Sequence, residues 1–173
     1  MKALGGWIKD ILIAVIIAVL IMTFLKPTIV KENSMQPTLN PNNYIFLSKQ
    51  AYTLFSQPKA GDIIVFHSDL TTSDGKEKLL IKRIVAVSGD VITIAEGSVY
   101  VNDMLLDEPY LDNVKTPGYI ESYKIPDGEV FVMGDNREHS IDSRDSRIGS
   151  IEVKEIVGKA FFRLYPFNSI GLL

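Results

Sequence analysis

The most extended apolar pattern in the chain is a run without any charge that covers residues 11–25. A helix of that length rises about 22 Å, and the hydrocarbon core of a bilayer is about 30 Å thick. The span therefore needs the residues before it, with Trp7 placed at the membrane interface. The pattern predicts a membrane anchor in residues 1–26, with its helix ended by Pro27.

Two other interpretations of this apolar segment are a cleaved signal peptide and a buried core helix. A cleaved signal peptide is followed by small residues in an A-x-A pattern. Here Phe24-Leu25-Lys26-Pro27 follow instead, which argues against cleavage. Lys2 and Lys9 stand on one side of the segment and Lys26 and Lys31 on the other, so charge does not decide its orientation.

Beyond Pro27 the apolar positions form short runs that are typical of β-strands and are separated by turn residues. Two of these predicted strands are Ile63-Ile64-Val65-Phe66 and the run 79–87. No strong helical period recurs there, so residues 27–173 are predicted to form one all-β domain of barrel or sandwich type. Residues 89–126 are polar and hold their own hairpin at Gly97, which predicts a small β subdomain inserted there. The chain is therefore expected to be mostly β, behind a single transmembrane helix.

Composition narrows the possible functions. The chain has 173 residues, a net charge of −3, no cysteine and 2 histidines. A charge of this sign argues against nucleic acid as a partner. The lack of cysteine excludes disulfides, thiol catalysis and cysteine-based zinc sites. His67 and His139 are too far apart to suggest a metal site, so neither a metal nor another cofactor is predicted.

The first cluster that could carry chemistry is Ser34-Met35-Gln36-Pro37-Thr38. Pro37 fixes its own φ and pushes Gln36 towards an extended conformation. Such a turn can present the hydroxyl and the backbone N–H of Ser34 together. A serine before a proline-containing turn is, however, also found in ordinary loops.

The second cluster is the adjacent pair Lys82 and Arg83 inside the apolar run 79–85. Neighbouring residues of a strand point to opposite faces, so one of the two charges should meet the core or a cleft. A desolvated lysine has a lowered pKa and can act as a base. The alternative is a sheet edge on which both charges are solvated.

The third cluster is the polar run 134–144, which follows a hydrophobic strand. Its density of hydrogen-bonding side chains predicts a loop whose side chains are tied to each other. Asp142 and Arg144 are placed to pair across the turn. The alternative is a solvated surface loop in which such a pair is only structural.

In this order, and behind an apolar segment, the three clusters resemble the type I bacterial signal peptidases, and the short length is similar to the Gram-positive-type members. The resemblance covers nearly the whole chain. It rests on Ser34-Met35-Gln36-Pro37-Thr38, Gly61-Asp62-Ile63-Ile64-Val65-Phe66, Lys82-Arg83 with Gly89-Asp90, and Gly134-Asp135-Asn136-Arg137 with Ser140, Asp142, Ser143 and Arg144.

The resemblance implies a membrane-anchored serine endopeptidase with a Ser-Lys dyad. Ser34 would attack the scissile carbonyl, and neutral Lys82 would take its proton. Ser140 would orient the Lys82 amine, and Asp142 would pair with Arg144 to hold the loop. Residues expected to support catalysis are Met35, Arg83, Ser140, Asp142 and Arg144.

One position departs from the family pattern. Two residues before the nucleophile, relatives usually have Ser or Gly, and the Ser serves as a second oxyanion donor. This chain has Glu32 there, followed by Asn33. A carboxylate is a poor oxyanion donor at neutral pH. Beside the backbone N–H of Ser34, the second donor would then be Asn33, another backbone N–H or a water, unless the local register differs.

The resemblance also implies the substrate and the location. The substrates would be secretory preproteins with small residues one and three positions before the cut, processed on the extracytoplasmic side of the cell membrane. The peptide would add to exposed strand edges near Ile29-Val30-Lys31 and Asp62-Ile63-Ile64. The lipid bilayer would be a second partner. Residues expected to contact the peptide are Ile29, Val30, Ile63, Ile64 and Ile84.

Three rival interpretations remain at this point. A Ser-His-Asp hydrolase would use Ser34, His139 and Asp142. A non-enzymatic, membrane-tethered β module would bind extended peptides without turnover. A relative of self-cleaving repressors would need a DNA-binding domain where this chain has its apolar segment.

Overall fold

The N-terminal helix leads directly into the sheet. The structure is a computed structural model and describes residues 2–72 and 74–173. Helix α1 spans Lys2–Phe24, and its stretch Trp7–Phe24 has the length and composition of a membrane span, with none of it buried. The helix ends before Pro27, so the prediction that this proline ends it is wrong. Pro27 lies within an edge strand, where a missing N–H is tolerated.

Strands are the main regular secondary structure of the described chain after α1, which confirms the mostly-β prediction. Short helical turns lie at Ala51–Phe55, Val153–Glu155 and Phe167–Ser169. The strands are β1 Leu25–Ile29, β2 Tyr44–Ser48, β3 Ile63–Thr71, β4 Glu77–Val87, β5 Val91–Ala95, β6 Ser98–Val101, β7 Met104–Leu105, β8 Ile120–Lys124, β9 Glu129–Met133, β10 Ile151–Glu152, β11 Ile156–Tyr165 and β12 Gly171–Leu172.

The larger sheet has eight strands in the order β1-β2-β11-β3-β4-β9-β10, with β12 beside β11. Its neighbouring strands are antiparallel. The pairings form an open path from β1 to β10, so closure into a barrel or sandwich stays a prediction. Strand β3 lies inside this path, and β1 lies at its end.

A second, four-stranded sheet has the order β7-β6-β5-β8. Its strands fall within residues 89–126, where the sequence predicts an inserted subdomain. Ile92, Ile94 and Val99 of this sheet pack with Val85 and Phe131 of the larger sheet. Where one domain ends and another begins stays a prediction.

Successive side chains along β3 and β4 point to opposite faces of the large sheet. On β3, Ile63 and Val65 join one core cluster, whereas Ile64 and Phe66 join another. On β4, Leu80 and Ile84 belong to the cluster of Ile64. Residue 82 therefore shares a face with Leu80 and Ile84, and residue 83 lies on the opposite face.

Candidate active site

A tight turn after β1 presents Ser34 to the sheet. The N–H of Gln36 donates to the carbonyl of Asn33 at 3.1 Å, and that of Leu39 donates to Met35 at 2.8 Å. Met35 and Leu39 are fully buried in the core on either side of the turn. Because these two apolar side chains fix the turn, the hydroxyl of Ser34 has a defined position.

Lys82 reaches this hydroxyl from β4. Its Nζ donates to Ser34 Oγ at 2.7 Å and to the carbonyl of Ile81 at 3.2 Å. Lys82 is 1% exposed and Ser34 is 5% exposed. Within the described residues, Lys82 takes part in no ion pair. The two residues that the sequence singles out, 48 positions apart, are therefore in direct contact.

The environment of Lys82 favours its neutral form. Burial lowers the pKa of the Lys82 amine to about 8, although the negative charges of Asp142 and Glu32 act in the opposite direction. At pH 7 roughly a tenth of such a group is neutral, compared with less than a thousandth of a free lysine. A neutral Nζ at this position can accept the proton of Ser34 Oγ.

Asp142 fastens the polar loop beside the dyad. Its carboxylate accepts hydrogen bonds from Arg144 Nε and Nη2, each at 2.8 Å, and from the N–H of Gly134 at 3.0 Å. Burial alone would raise the pKa of Asp142, but the hydrogen bonds and charge of Arg144 lower it below its usual value. The predicted pair of Asp142 and Arg144 is thus present and stays ionised.

Gly134 lies where this loop meets the nucleophile turn. A Cβ at this position would collide with Ser140 Oγ and with the carbonyl oxygen of Ser34. That carbonyl also accepts a hydrogen bond of 3.0 Å from the N–H of Asn136. A residue without a side chain is therefore required here to let the loop approach Ser34.

The contact predicted between Ser140 and Lys82 is not formed. The hydrogen bonds of Lys82 Nζ go to Ser34 and Ile81. Ser140 Oγ is the buried side-chain polar atom without a hydrogen bond in the described part of the chain. Ser140 Oγ lies instead beside Gly134, in the space that a Cβ of that residue would need.

Arg83 lies on the other face of β4 and is held by a carboxylate. Its Nε and Nη2 donate to Asp135 at 2.9 and 2.7 Å, and Nη1 donates to the carbonyl of Gly61 at 2.9 Å. The guanidinium lies 3.9 Å from the centre of the Tyr110 ring. Arg83 therefore connects the strand of Lys82 to three separate segments.

Several residues of this network were missed by sequence reasoning. Arg137, which is fully buried, donates to Glu108 and Thr116. Arg144 Nη1 also donates to the carbonyl of Pro117 at 3.1 Å. The dense run 134–144 signals the arginine side of these contacts. No sequence pattern in residues 106–117 predicts that they supply the partners of these arginines.

A small cavity and a larger cleft adjoin the dyad. The cavity has a volume of about 120 Å³ and includes Ser34 and Lys82 in its lining. The cleft has a volume of about 290 Å³ and lies between residues 28–32 and residues 78–81. Within the described chain, no strand pairs with the β4 edge at 78–82 that faces away from β3, because pairing with β9 begins at Arg83.

Only two of the five residues predicted to contact a peptide line this cleft. Ile29, which is 42% exposed, and Val30 do so. The prediction for Ile63, Ile64 and Ile84 is wrong, because all three are buried and line neither the cleft nor the small cavity. The expected exposed edge at β3 does not exist, since β3 is paired with β11 on one side and with β4 on the other.

The hydrogen bonds of the site do not form a Ser-His-Asp triad. His139 is exposed, and its Nδ1 pairs with Asn136 Oδ1 at 3.3 Å. The carboxylate of Asp142 is bound by Arg144 and Gly134 instead. His139 does line the small cavity, so it lies near Ser34 without forming a catalytic triad.

Glu32 is engaged by a cation that the sequence did not single out. Its carboxylate pairs with Lys78 at 2.5 Å. The residue that departs from the family pattern is thus bound across the cleft. One sequence signal for this partner is that Lys78, Leu80 and Lys82 alternate on one face of β4.

Comparison with known proteins gives similarity along nearly the whole chain. Residues 4–165 match the family model described as signal peptidase, peptidase S26. A signal peptidase I of Bacillus licheniformis is 36% identical over 181 residues, covering 98% of this chain and 92% of the relative. Signal peptidase I S of Bacillus subtilis is 34% identical over 180 residues, covering 98% and 93%. Among solved structures, a signal peptidase I of Enterococcus faecalis has 26% identity and a TM-score of 0.49, covering 60% of this chain and 97% of that chain.

Proposed function

Since the chain belongs to the signal peptidase family, peptidase S26, we propose that Ser34 and Lys82 are the catalytic dyad with which it cleaves preproteins. Membership in the family makes the protein a serine endopeptidase that removes signal peptides from secretory preproteins. The observation that carries the dyad is the 2.7 Å hydrogen bond between Lys82 Nζ and Ser34 Oγ in a buried site.

The reaction starts from the neutral form of Lys82. Ser34 Oγ–H donates to Nζ, and Oγ attacks the carbonyl carbon of the scissile bond while its proton passes to the amine. The resulting ammonium then gives this proton to the leaving nitrogen, which frees the mature protein. A water molecule, deprotonated by the same amine, hydrolyses the acyl-serine and restores Ser34. The backbone N–H of Ser34 stabilises the oxyanion.

The polar loop 134–144 holds the nucleophile in place during these steps. Asp142 binds Arg144 and the N–H of Gly134, and the N–H of Asn136 donates to the carbonyl of Ser34. Arg83 holds the other face of β4 through Asp135. Both sides of the dyad are thus positioned by buried ion pairs rather than by the dyad's own contacts.

The signal peptide binds in extended form between residues 28–32 and the free edge of β4. Alternate side chains of an extended peptide point the same way about 7 Å apart. The side chain at −1 enters the cavity of about 120 Å³ beside Ser34. The side chain at −3 enters the cleft lined by Ile29 and Val30.

The enzyme acts at a membrane, with α1 as a single-pass anchor and the catalytic domain on the extracytoplasmic side. Lys49 N donates to the carbonyl of Phe24 at 2.9 Å, so the end of the helix is fastened to the sheet. Near the C-terminus, four apolar side chains are also exposed, among them Phe167 at 73%. They are Tyr165, Phe167, Ile170 and Leu172. Their rings and chains can rest on the bilayer interface.

The test is cleavage of a preprotein with alanine at −1 and −3 in detergent micelles, with the new N-terminus read by mass spectrometry. Wild type should cut after the alanine at −1. Ser34→Ala and Lys82→Ala should be inactive, whereas the matched control Lys154→Ala, on an exposed lysine, should cut normally.

Cleavage by the Ser34→Ala variant would overturn the dyad. Absence of turnover in every version, together with retained peptide binding, would instead favour a membrane-tethered binding module.

A further inference from the structure

The dyad cavity and the peptide cleft are separate spaces with a shared wall. Glu32, Lys78 and Leu80 line both of them. Leu80 belongs to the core and is buried, so it forms the fixed floor of this wall. The part of the wall that can respond to a ligand is therefore made by the two charged side chains.

The charged part of the wall is an ion pair that crosses the cleft. Glu32 follows β1, and Lys78 belongs to β4 on the opposite side. Their charged groups are 2.5 Å apart, with 46% of the Glu32 side chain and 29% of the Lys78 side chain exposed. In the described chain, no backbone hydrogen bond joins residues 28–32 to β4. The ion pair is thus a direct polar link between the two sides.

We propose that the Glu32–Lys78 ion pair is a specificity-determining wall that restricts the residues at −1 and −3 of the signal peptide to small side chains. This inference rests on the proposed function, because it needs a peptide bound with one side chain in each space. It adds two residues to the reaction that neither transfer protons nor bind the scissile bond.

The physical argument concerns what a larger side chain would meet. The side chains at −1 and −3 lie about 7 Å apart on the same side of an extended peptide, with the wall between them. A methyl group leaves the wall undisturbed. A leucine at either position brings more apolar surface towards the two charges than alanine does, and apolar surface that desolvates charged groups is unfavourable. The ion pair therefore penalises large residues without contacting small ones.

The two residues of the pair act on the pKa of Lys82 through their charges but take no direct part in the proposed proton transfer. Lys82 binds Ser34 directly, and neither Glu32 nor Lys78 contacts the Ser34 hydroxyl. Shortening either side chain joins the two spaces into one larger groove. The selection among substrates should then change more than the cleavage of the best substrate.

The experiment measures kcat/KM for preproteins that carry alanine or leucine at −1, and separately at −3, with the rest of the sequence unchanged. Comparing the two substrates on one enzyme at one pH cancels any change in the protonation of Lys82. In Glu32→Ala and in Lys78→Ala, the ratio of alanine to leucine cleavage should fall by about tenfold or more, the scale on which pocket size discriminates substrates.

Two further variants isolate the ion pair. Glu77→Ala changes a neighbouring residue of β4 whose carboxylate pairs with His67 outside both spaces, so the ratio should equal that of wild type. The double variant Glu32→Lys with Lys78→Glu exchanges the charges and should restore most of the wild-type ratio. Thermal unfolding of each variant establishes that it is folded.

The outcomes separate this inference from the proposed function. An unchanged ratio in both alanine variants, with the alanine substrate still cleaved, overturns the wall and leaves the peptidase intact. A charge-exchanged double variant that resembles the alanine variants also overturns it. Failure of wild type to cleave any substrate, or cleavage by Ser34→Ala, overturns the proposed function instead.

Discussion

Two neighbouring residues of β4 show opposite ways of burying a cation. Lys82 faces Ser34 and takes part in no ion pair within the described chain, although it is 1% exposed. Arg83, on the opposite face, is bound by both carboxylate oxygens of Asp135 and stacks on Tyr110. The two faces of the strand thus carry the same charge type in different environments.

The difference explains which of the two can take part in proton transfer. A buried cation without a partner loses its hydration, so the neutral form of Lys82 becomes accessible near neutral pH. An arginine cannot be deprotonated in a protein, and Arg83 therefore needs its carboxylate. The face of β4 with Lys82 is therefore suited to proton transfer, and the face with Arg83 is suited to holding the strand in place.

The largest expected effect comes from removing the unpaired cation. Lys82→Met should lower kcat/KM by at least about a thousandfold, because the base for Ser34 is lost. The measurement is cleavage of the alanine preprotein in micelles. The double variant with Ser34→Ala should be no less active than either single variant, since the two residues act as a unit. Retained cleavage in Lys82→Met would remove this lysine from the mechanism.

The paired side should respond in stability rather than in chemistry. Asp135→Asn leaves the Arg83 charge buried without its counter-charge, which should cost about 3–5 kcal/mol of unfolding free energy. Urea unfolding measures this change. The control is Asp74→Asn, which breaks an exposed pair with Lys76 and should change stability little. Equal effects of the two variants would contradict the contrast between the faces.

A pH series sharpens the comparison further. The pKa of Lys82 falls from 10.5 to about 8 in the folded state, so the unfolded state binds more protons between these values. The stability of wild type should therefore rise through that window. Lys82→Met lacks the penalty and should be more stable than wild type by about 3 kcal/mol below pH 8. This advantage should shrink as the pH approaches 10.5.

The same pKa predicts the activity profile. Because the neutral amine is the reactive form, kcat/KM of wild type should rise with pH and level off above about 8. Ser34→Ala keeps Lys82 and should keep the rising stability, although it has no activity. A stability curve for wild type that runs parallel to that of Lys82→Met from pH 7 to pH 10 would contradict the lowered pKa.

Local patterns predicted most strands but not their neighbours. Alternating and apolar runs are visible along the sequence, and β3 and β4 appear where they were expected. The insertion of β11 beside β3 joins segments that are far apart in the chain, and no local pattern encodes that pairing. The prediction of an exposed edge at Ile63 and Ile64 was wrong for this reason. Pro27 was interpreted as a helix end because a proline at a sheet edge has the same local signature.

The candidate site was likewise predicted only in part from the sequence. Ser34 and Lys82 were predicted because their motifs resemble a known family, and the structure joins them over 48 positions. The partners of the arginines were not predicted. Glu108 and Tyr110 lie in a loop without periodicity, and their roles depend on the tertiary contacts to Arg137 and Arg83. Lys78 was missed because a lysine on a strand is usually a solvated one.

The smallest expected effect concerns His139, which would have to replace Lys82 as the base if the comparison were wrong. His139→Ala should leave kcat/KM within about twofold of wild type, the range of ordinary surface substitutions. The imidazole is exposed and pairs with Asn136, so its loss removes no contact to Ser34. The control is Lys82→Met, purified and assayed under the same conditions. If His139→Ala were inactive and Lys82→Met were active, the base for Ser34 would be His139 and not Lys82. The buried amine of Lys82 would then keep its proton, and so could not activate Ser34. Since His139 lines the dyad cavity, a small change confined to substrates with a large residue at −1 is compatible with its place in that wall.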